Sequence, residues 1–112
     1  MARPYVPDRG DLVWAQFNPQ AGHEQAGIRP AVILSPREYN NASGLALMCP
    51  VTSRIKGYPY EVILPPGGPM AGAILSDQLK SLDWRARQVR HAGRVQSPVM
   101  AEVMAKVKTL LG

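Results

Sequence analysis

Short apolar runs separated by turn-forming residues are the feature that most limits the fold of this chain. The runs lie between segments rich in Gly and Pro, of which the chain holds 10 and 11. Runs of this length are typical of β-strands and too short for most helices. They are LVWAQF (12–17), AVIL (31–34), LALMCPV (45–51), YEVIL (60–64) and GAIL (72–75). In a chain of 112 residues they predict a small all-β barrel or sandwich, with residues 1–112 forming a single domain.

Two segments depart from the strand pattern. SPVMAEVMAKVKTLLG places apolar residues at helical spacing along one stripe, with Ser97 as the expected N-cap, Pro98 in the first turn and Gly112 at the end. The stripe consists of Val99, Met100, Val103, Met104, Val107, Leu110 and Leu111. REYNNAS, residues 37–43, predicts a shorter helical turn. The chain is therefore expected to be mainly β with a C-terminal helix that packs on the barrel or pairs across a dimer.

The charge and the cysteine content of the chain indicate the kind of partner and the cell compartment to expect. The net charge of +5 and the pI near 9.8 indicate an electropositive surface, suited to nucleic acid or an acidic protein segment. Cys49 is the only cysteine and lies in a predicted strand, so we expect a reduced, buried thiol. No apolar run reaches the roughly 18 residues of a membrane span, and the N-terminus has no hydrophobic signal region. We expect a soluble, unprocessed, cytoplasmic protein.

The remaining polar residues exclude several kinds of active site. His23, His91 and Cys49 show no metal-ligand spacing, and the acidic residues are scattered. There is no G-x-S-x-G motif and no Gly-rich phosphate loop. We therefore expect neither a metal nor a cofactor, and a site built from arginine, lysine, hydroxyl and amide groups. Such groups suit the cleavage of RNA by its own 2′-hydroxyl, because the protein needs only to align that nucleophile and neutralise phosphate charge.

Six sequence blocks, in order from about residue 6 to residue 87, resemble the MazF/PemK family of toxin endoribonucleases. They are VPDRGDLVW, GHEQAGIRPAVILSP, YNN, CPVTS, KGYPYEV and LSDQLKSLDWRAR. The resemblance implies a small SH3-like barrel, the fold shared by PemK/MazF and CcdB-like toxins, assembled as a homodimer. It also implies metal-independent cleavage of single-stranded RNA at short base motifs, leaving 2′,3′-cyclic phosphate and 5′-hydroxyl ends and inhibiting translation and growth. The implied partner is a MazE-like antitoxin with an acidic, partly disordered tail.

The resemblance also assigns catalytic roles. Arg29 in G-x-R-P and Thr52 in P-x-T-S match the family's catalytic pair. A guanidinium pKa above about 12 makes Arg29 a poor base, so we expect it to stabilise charge in the transition state. The group that takes the 2′ proton stays open: Glu24 is the nearest catalytic candidate by sequence, with His23 or water as alternatives. Two structural interpretations stay open, in which Arg29 closes its loop through an ion pair to Glu24 and Thr52 is a turn residue.

Further polar side chains are expected to bind the RNA. Lys56, Gln78 and Lys80 match positions that the family uses, lysine for phosphates and glutamine for base edges. Additional expected contacts are Gln25, Asn40 and Ser53, although asparagine at a turn needs no functional reason. Phe17, Tyr39, Tyr58 and Tyr60 are alternative stacking surfaces or core residues, whereas Trp14 and Trp84 are expected to be buried at the barrel or dimer interface.

Some parts of the sequence do not determine a single role, cleavage motif or function. Residues 85–94, RARQVRHAGR, fit either a solvated basic loop or a contact with phosphate or antitoxin. Gln16 and Asn18 stand where family members often carry acids, and LPPGGPMAG is a loop particular to this chain, so no cleavage motif is carried over. Two other functions remain, a CcdB-like toxin that poisons gyrase without ribonuclease activity and a passive RNA-binding barrel.

Overall fold

The computed structural model describes residues 4–17 and 27–112. Within these residues the chain forms a seven-stranded antiparallel sheet and two helices. The elements are β1 (Asp11–Gln16), β2 (Ile28–Ile33), α1 (Arg37–Ser43), β3 (Leu45–Thr52), β4 (Glu61–Ile63), β5 (Ala73–Leu75), β6 (Lys80–Asp83), β7 (Arg90–Arg94) and α2 (Ser97–Leu111). The five predicted strands and both predicted helices are confirmed, and a mainly β chain with a C-terminal helix is the observed class.

β3 is the strand around which the sheet turns. One edge of β3 pairs with β2, while its other edge pairs first with β6 and then with β5. The strand order is β4-β5-β3-β2-β1-β7, with β6 beside β3. A strand that serves two sheet segments makes the corner of a small barrel. At this corner the start of β2 and the end of β3 lie beside the loop that precedes β5.

Pro50 lies inside β3 and neither ends nor bulges the strand, although a proline has no N–H group to donate in a sheet. The strand continues to Thr52, and Pro50 pairs in register with Ala31 of β2. On the opposite edge, pairing with β6 stops at Met48 and pairing with β5 begins at Val51. The proline therefore lies where β3 changes partners, a position at which a donor is not needed.

Apolar side chains cover both faces of the central strands. On β1 and β2, Leu12 and Val32 belong to one buried cluster, and Val13 and Ala31 to the other, because strand side chains alternate between faces. The first cluster lies beneath α2, and the second packs around Trp84. Burial on both faces explains why AVIL is continuously apolar.

α2 buries only the middle of its predicted stripe. Met100, Val103 and Val107 are buried, whereas Leu110 and Leu111 are exposed. The N-cap is Gln96 and not Ser97, which is the first helical residue, so Pro98 is the second residue of the helix and lies in its first turn. Neither helix among the described residues is long and apolar enough to cross a membrane.

β6 and β7 were not predicted. Their sequences, KSLD and RHAGR, are mostly exposed and polar and so lack an apolar run. They are strands because β3 and β1 supply backbone partners, in pairs such as Leu45 with Asp83 and Asp11 with Arg94. The segment 85–94 is therefore a turn followed by an edge strand, and not a basic loop throughout.

Candidate functional site

An open groove of ≈ 820 Å³, here called the main groove, lies on the described surface. It lies where β2 and β3 meet the 64–72 loop, and it collects five of the predicted site residues. Its predicted members are Arg29, Thr52, Ser53, Gln78 and Lys80. Residues distant in sequence are thus brought to one surface, as a binding site requires.

Arg29 enters the main groove from the start of β2. It pairs with Ala15 across β1, and its side chain is exposed. Its Nη1 donates a hydrogen bond to the carbonyl oxygen of Ile28 at 3.1 Å. Guanidinium carries five N–H donors, so the contacts with described residues leave donors for a phosphate. The ion pair with Glu24 considered above lies outside the described residues, as do His23 and Gln25.

Thr52 is the last residue of β3 and is half-buried. Its Oγ1 accepts a hydrogen bond from the backbone N–H of Arg54 at 3.1 Å. The bond fixes the turn that follows the strand and leaves the hydroxyl proton available to a ligand oxygen. Thr52 thus stabilises the turn that follows β3 and also lines the main groove.

Gly72 holds the wall of the main groove against Thr52. Its φ is +121°, and a β-carbon at this position would lie 2.0 Å from the carbonyl oxygen of Thr52. The same loop packs on β7, where a β-carbon on Gly93 would lie 2.7 Å from Cγ of Pro69. The backbone of Gly72 thus lies close to Thr52, and the backbone of Gly93 lies close to the ring of Pro69, and both contacts fix the 64–72 loop. The loop contributes Pro69, Met70 and Ala71 to the groove.

A smaller recess of ≈ 230 Å³ continues from the main groove and shares Thr52, Arg54 and Gln78 with it. Lys56 and Tyr58 line this adjoining recess. The buried carboxylate of Glu61 accepts hydrogen bonds from the backbone N–H groups of Lys56, Gly57 and Tyr58 at 3.0–3.2 Å. Glu61 therefore shapes the segment that carries the predicted phosphate ligand Lys56.

The charge of the site is mainly positive. Arg29, Arg54 and Lys80 line the main groove, and no carboxylate is among the described residues that form it. In the adjoining recess Lys56 is accompanied by Asp77 and Glu61. Closely spaced cations of this kind attract a polyanion and are strongly sensitive to salt.

Arg54 was missed by the sequence analysis, although it lines both recesses. The available signal was a basic residue two positions after Thr52, at the end of a predicted strand. Its backbone is fixed by the Thr52 hydroxyl, and its side chain is exposed. It belongs with Arg29 and Lys80 as a candidate phosphate ligand.

Comparison with known proteins shows to which family the chain belongs. Residues 8–111 match the model of a family described as PemK-like, MazF-like toxin of type II toxin-antitoxin system. The chain belongs to this family. It is 48% identical over 112 residues to the endoribonuclease toxin MazF of Escherichia coli strain K12, covering 100% of both chains. It is 32% identical over 109 residues to the Escherichia coli endoribonuclease PemK, covering 93% of this chain and 81% of PemK.

Solved structures of MazF have the same fold as this PemK-like toxin. Crystal structures of MazF (Form-I) and of MazE-MazF (Form-II) from Deinococcus radiodurans match with TM-scores of 0.89 and 0.88 and identities of 53% and 47%. Each covers 97% of this chain, which covers 99% and 98% of those chains. The family resemblance and the MazF/PemK fold predicted from the sequence are therefore confirmed.

Asn40 is the one predicted RNA-binding residue of this MazF-family chain that the structure contradicts. Its side chain is 0% exposed, on the buried side of α1. Nδ2 donates to the carbonyl oxygens of Pro7 and Ser35 at 2.8 and 3.0 Å, and Oδ1 accepts from the Ser35 hydroxyl at 2.5 Å. Every polar atom of the amide is used internally, so Asn40 is a structural residue of the MazF-like fold.

The two tryptophans differ in environment. Trp84 is buried, as expected, and its indole N–H donates to the carbonyl oxygen of Asn40 at 2.8 Å. Trp14 is 39% exposed and lines the main groove together with Phe17. Burial of Trp14 in the barrel is therefore wrong, whereas its burial at a dimer interface stays a prediction. The described aromatic surfaces available for stacking are Trp14 and Phe17 in the main groove and Tyr58 in the adjoining recess.

Proposed function

We propose that this MazF-family toxin is a metal-independent endoribonuclease that cleaves single-stranded RNA, including mRNA, at short base motifs. The observation that carries the proposal is the convergence of Arg29 and Thr52 in one groove beside Lys80 and Gln78. The 48% identity to a relative named endoribonuclease toxin MazF supports it along the whole chain.

The proposed chemistry uses the nucleophile that RNA already contains. The 2′-oxygen attacks the adjacent phosphorus, the bond from phosphorus to the 5′-oxygen breaks, and a 2′,3′-cyclic phosphate forms. The 2′ proton passes to a base, and the departing 5′-oxygen gains a proton to become a hydroxyl. Arg29 stabilises the charge on the phosphoryl oxygens, and the Thr52 hydroxyl donates to one of them. Glu24 is proposed as the base, with His23 or water as alternatives.

RNA binding is proposed to divide between charge and base recognition. Arg54, Lys56 and Lys80 contact phosphates of successive nucleotides, which gives affinity without sequence preference. Gln78 and Ser53, with amide and hydroxyl groups beside the cations, contact base edges, and Gln25 is proposed to do the same. The exposed aromatic side chains stack on unpaired bases, which restricts the substrate to single strands.

The partners follow from the same chemistry. The relatives of known structure include MazE-MazF complexes from Deinococcus radiodurans. We infer a homodimer that binds a MazE-like antitoxin, whose acidic, partly disordered tail occupies the basic main groove and blocks RNA. Cleavage of mRNA in the cytoplasm would then inhibit translation and growth until antitoxin is restored.

The two other functions are less well supported. A CcdB-like gyrase poison acts by protein binding and needs no convergence of Arg29 and Thr52. A passive RNA-binding barrel uses the same positive charge but leaves its RNA intact. Neither agrees with the relatives named endoribonucleases, which match 100% and 93% of this chain.

Purified protein incubated with a long single-stranded RNA in excess chelator tests the proposal. We expect fragments with 5′-hydroxyl and 2′,3′-cyclic phosphate ends, cut at one recurring base motif that sequencing of the 5′ ends identifies. Intact RNA would overturn the ribonuclease function, and a requirement for added metal would overturn the mechanism. Addition of an acidic antitoxin peptide is expected to stop cleavage, and binding without inhibition would contradict blockade of the groove.

A further inference from the structure

Trp14 lines two recesses, the main groove and a second recess of ≈ 400 Å³. The second recess is formed with the 84–88 turn and the start of β7. Its other described members are Ala15, Gln16, Ile28, Arg87, Gln88 and Arg90. Neither Arg29 nor Thr52, the catalytic candidates among the described residues, lines it, so it extends the site beyond the position of these two side chains.

An aromatic face and a cation lie side by side in the second recess. Trp14 and Arg90 are direct partners in the β1–β7 pair, so their side chains leave the same face of the sheet. Both side chains are exposed. Two arginines and no carboxylate are among the described residues that line the recess. An indole beside a guanidinium is the combination that binds a base and its phosphate in single-stranded nucleic acid.

The backbone conformation of Gln88 is a second feature that marks this recess as a binding site. Gln88 has a φ of +52°, and it is the only residue other than glycine with a positive φ in the described part of the chain. The left-handed region is unfavourable for a residue with a β-carbon, and glycine would adopt it without strain. Strain of this kind clusters at functional sites. A glutamine at this position presents an amide that can donate to and accept from a base edge.

Arg87 fixes the turn that presents Gln88. Its Nη1 donates to the carbonyl oxygens of Gln16 and Phe17 at 3.3 and 2.8 Å, and its carbonyl oxygen accepts from the backbone N–H of Gln16 at 2.9 Å. The turn is therefore attached to the end of β1 in a defined geometry. A fixed wall lowers the entropy that a bound nucleotide would otherwise have to offset.

We propose that the second recess is a subsite for one nucleotide of the RNA outside the cleaved linkage. Its base stacks on the indole of Trp14, its phosphate contacts Arg90, and its base edge contacts the amide of Gln88. The subsite rests on the proposed endoribonuclease function and deepens it, because it lengthens the stretch of RNA that the protein recognises.

The test compares RNAs of two lengths that share one cleavage motif. The minimal RNA carries only the motif, and the extended RNAs add three nucleotides at one end or at the other; each contains a 2′-deoxy nucleotide at the cleaved position to prevent cutting. We expect extension at one end alone to lower Kd by about 10-fold. Arg90→Gln and Gln88→Gly are each expected to reduce that gain to about 3-fold or less, and Arg90→Gln to lower the salt dependence by roughly one charge. Lys108→Gln, an exposed charge on α2 away from the recesses, is the matched control and keeps the gain.

Three outcomes would overturn the subsite. Equal Kd values for minimal and extended RNAs would show that nothing binds beyond the motif. Equal gains from extension at either end would show unspecific attraction by net charge. Loss of affinity for all the RNAs in Arg90→Gln, with the gain unchanged, would place Arg90 elsewhere. Cleavage of the matching all-ribose RNA by the wild type separates these results from a failure of the proposed function, since absence of cleavage would overturn both.

Discussion

Gly72 and Thr52 approach so closely that a β-carbon on Gly72 would lie 2.0 Å from the Thr52 carbonyl oxygen. The contact joins the 64–72 loop to the end of the strand that carries the candidate catalytic hydroxyl. A catalytic group needs such support, because small displacements from the reactive geometry lower the rate strongly.

Gly72→Ala is therefore expected to impair both stability and catalysis. The methyl group must displace the backbone of Thr52, at a predicted loss of about 3 kcal/mol or more in the free energy of unfolding. Gly67→Ala is the matched control, since Gly67 has a φ of +88° but no atom within 4 Å of its β-carbon position. Its expected loss is about 1 kcal/mol, with kcat unchanged. Denaturant unfolding and kcat of the folded fraction measure both effects, and similar results for the two variants would refute a positioning role.

Arg29→Ala is expected to lower kcat by roughly 10²-fold or more, as when a stabiliser of transition-state charge is removed. Stability should change by no more than about 0.5 kcal/mol, because the side chain is exposed. Arg37→Ala, an exposed arginine on α1 outside the main groove, is the control for loss of one positive charge. Near-normal turnover in folded Arg29→Ala would exclude the proposed role.

Arg54→Gln is expected to weaken RNA binding without a change in base preference. An arginine that contacts phosphate contributes about one unit to the slope of log K against log salt. Fluorescence anisotropy with a non-cleavable RNA at several salt concentrations measures this slope in wild type and variant. An unchanged slope would place Arg54 away from the phosphates, whereas a changed cleavage motif would indicate base contact instead.

Asn40→Ala is expected to destabilise the fold and leave RNA affinity unchanged. It removes the hydrogen bonds to Pro7 and Ser35 inside the core, at about 1–3 kcal/mol. Asn41→Ala, at the exposed neighbouring position on α1, should have little effect on Tm. If folded Asn40→Ala bound RNA more weakly than Asn41→Ala, its assignment as a structural residue would fail.

The buried thiol of Cys49 makes the free energy of unfolding depend on pH in the alkaline range. Burial, reinforced by the negative charge of Asp77, raises the pKa of its thiol from 9.0 to about 12. The unfolded thiol ionises first, so the contribution to stability is complete below pH 9.0 and is lost as pH rises toward about 12. Burial also raises the pKa of Tyr5, so the comparison needs Cys49→Ala beside the wild type. We expect unfolding free energy to fall less steeply above about pH 9 in Cys49→Ala; equal slopes would contradict the shift.

The sequence predicted the elements whose folding is local. Apolar runs identified β1 to β5, and helical spacing identified α2, because these signals are contained in a few neighbouring residues. β6 and β7 were not predicted, because their pairing is decided by backbone partners at β3 and β1 and not by their own polar residues. Sequence alone could not assign the neighbours of Pro50 for the same reason.

The site residues also divide into those predicted from local motifs and those whose role depends on residues distant in sequence. The loop and strand ends carrying Arg29, Thr52 and Lys56 were predicted from their motifs, and Arg29 and Thr52 do meet in one groove. The burial of Asn40 depends on Pro7 and Trp84, which are distant in sequence, so a turn asparagine and a structural asparagine look alike beforehand. Gly72 was equally indistinguishable among the glycines of its loop until its contact with Thr52 was known.

The most direct measurement is the cleavage of an RNA in which one 2′-hydroxyl, at the mapped cleavage site, is replaced by hydrogen. We predict that cleavage at this site stops while an identical site elsewhere in the same molecule is still cut, because the nucleophile comes from the substrate. Continued cleavage at the 2′-deoxy site would mean that water or a protein group attacks the phosphate, and would contradict the central claim.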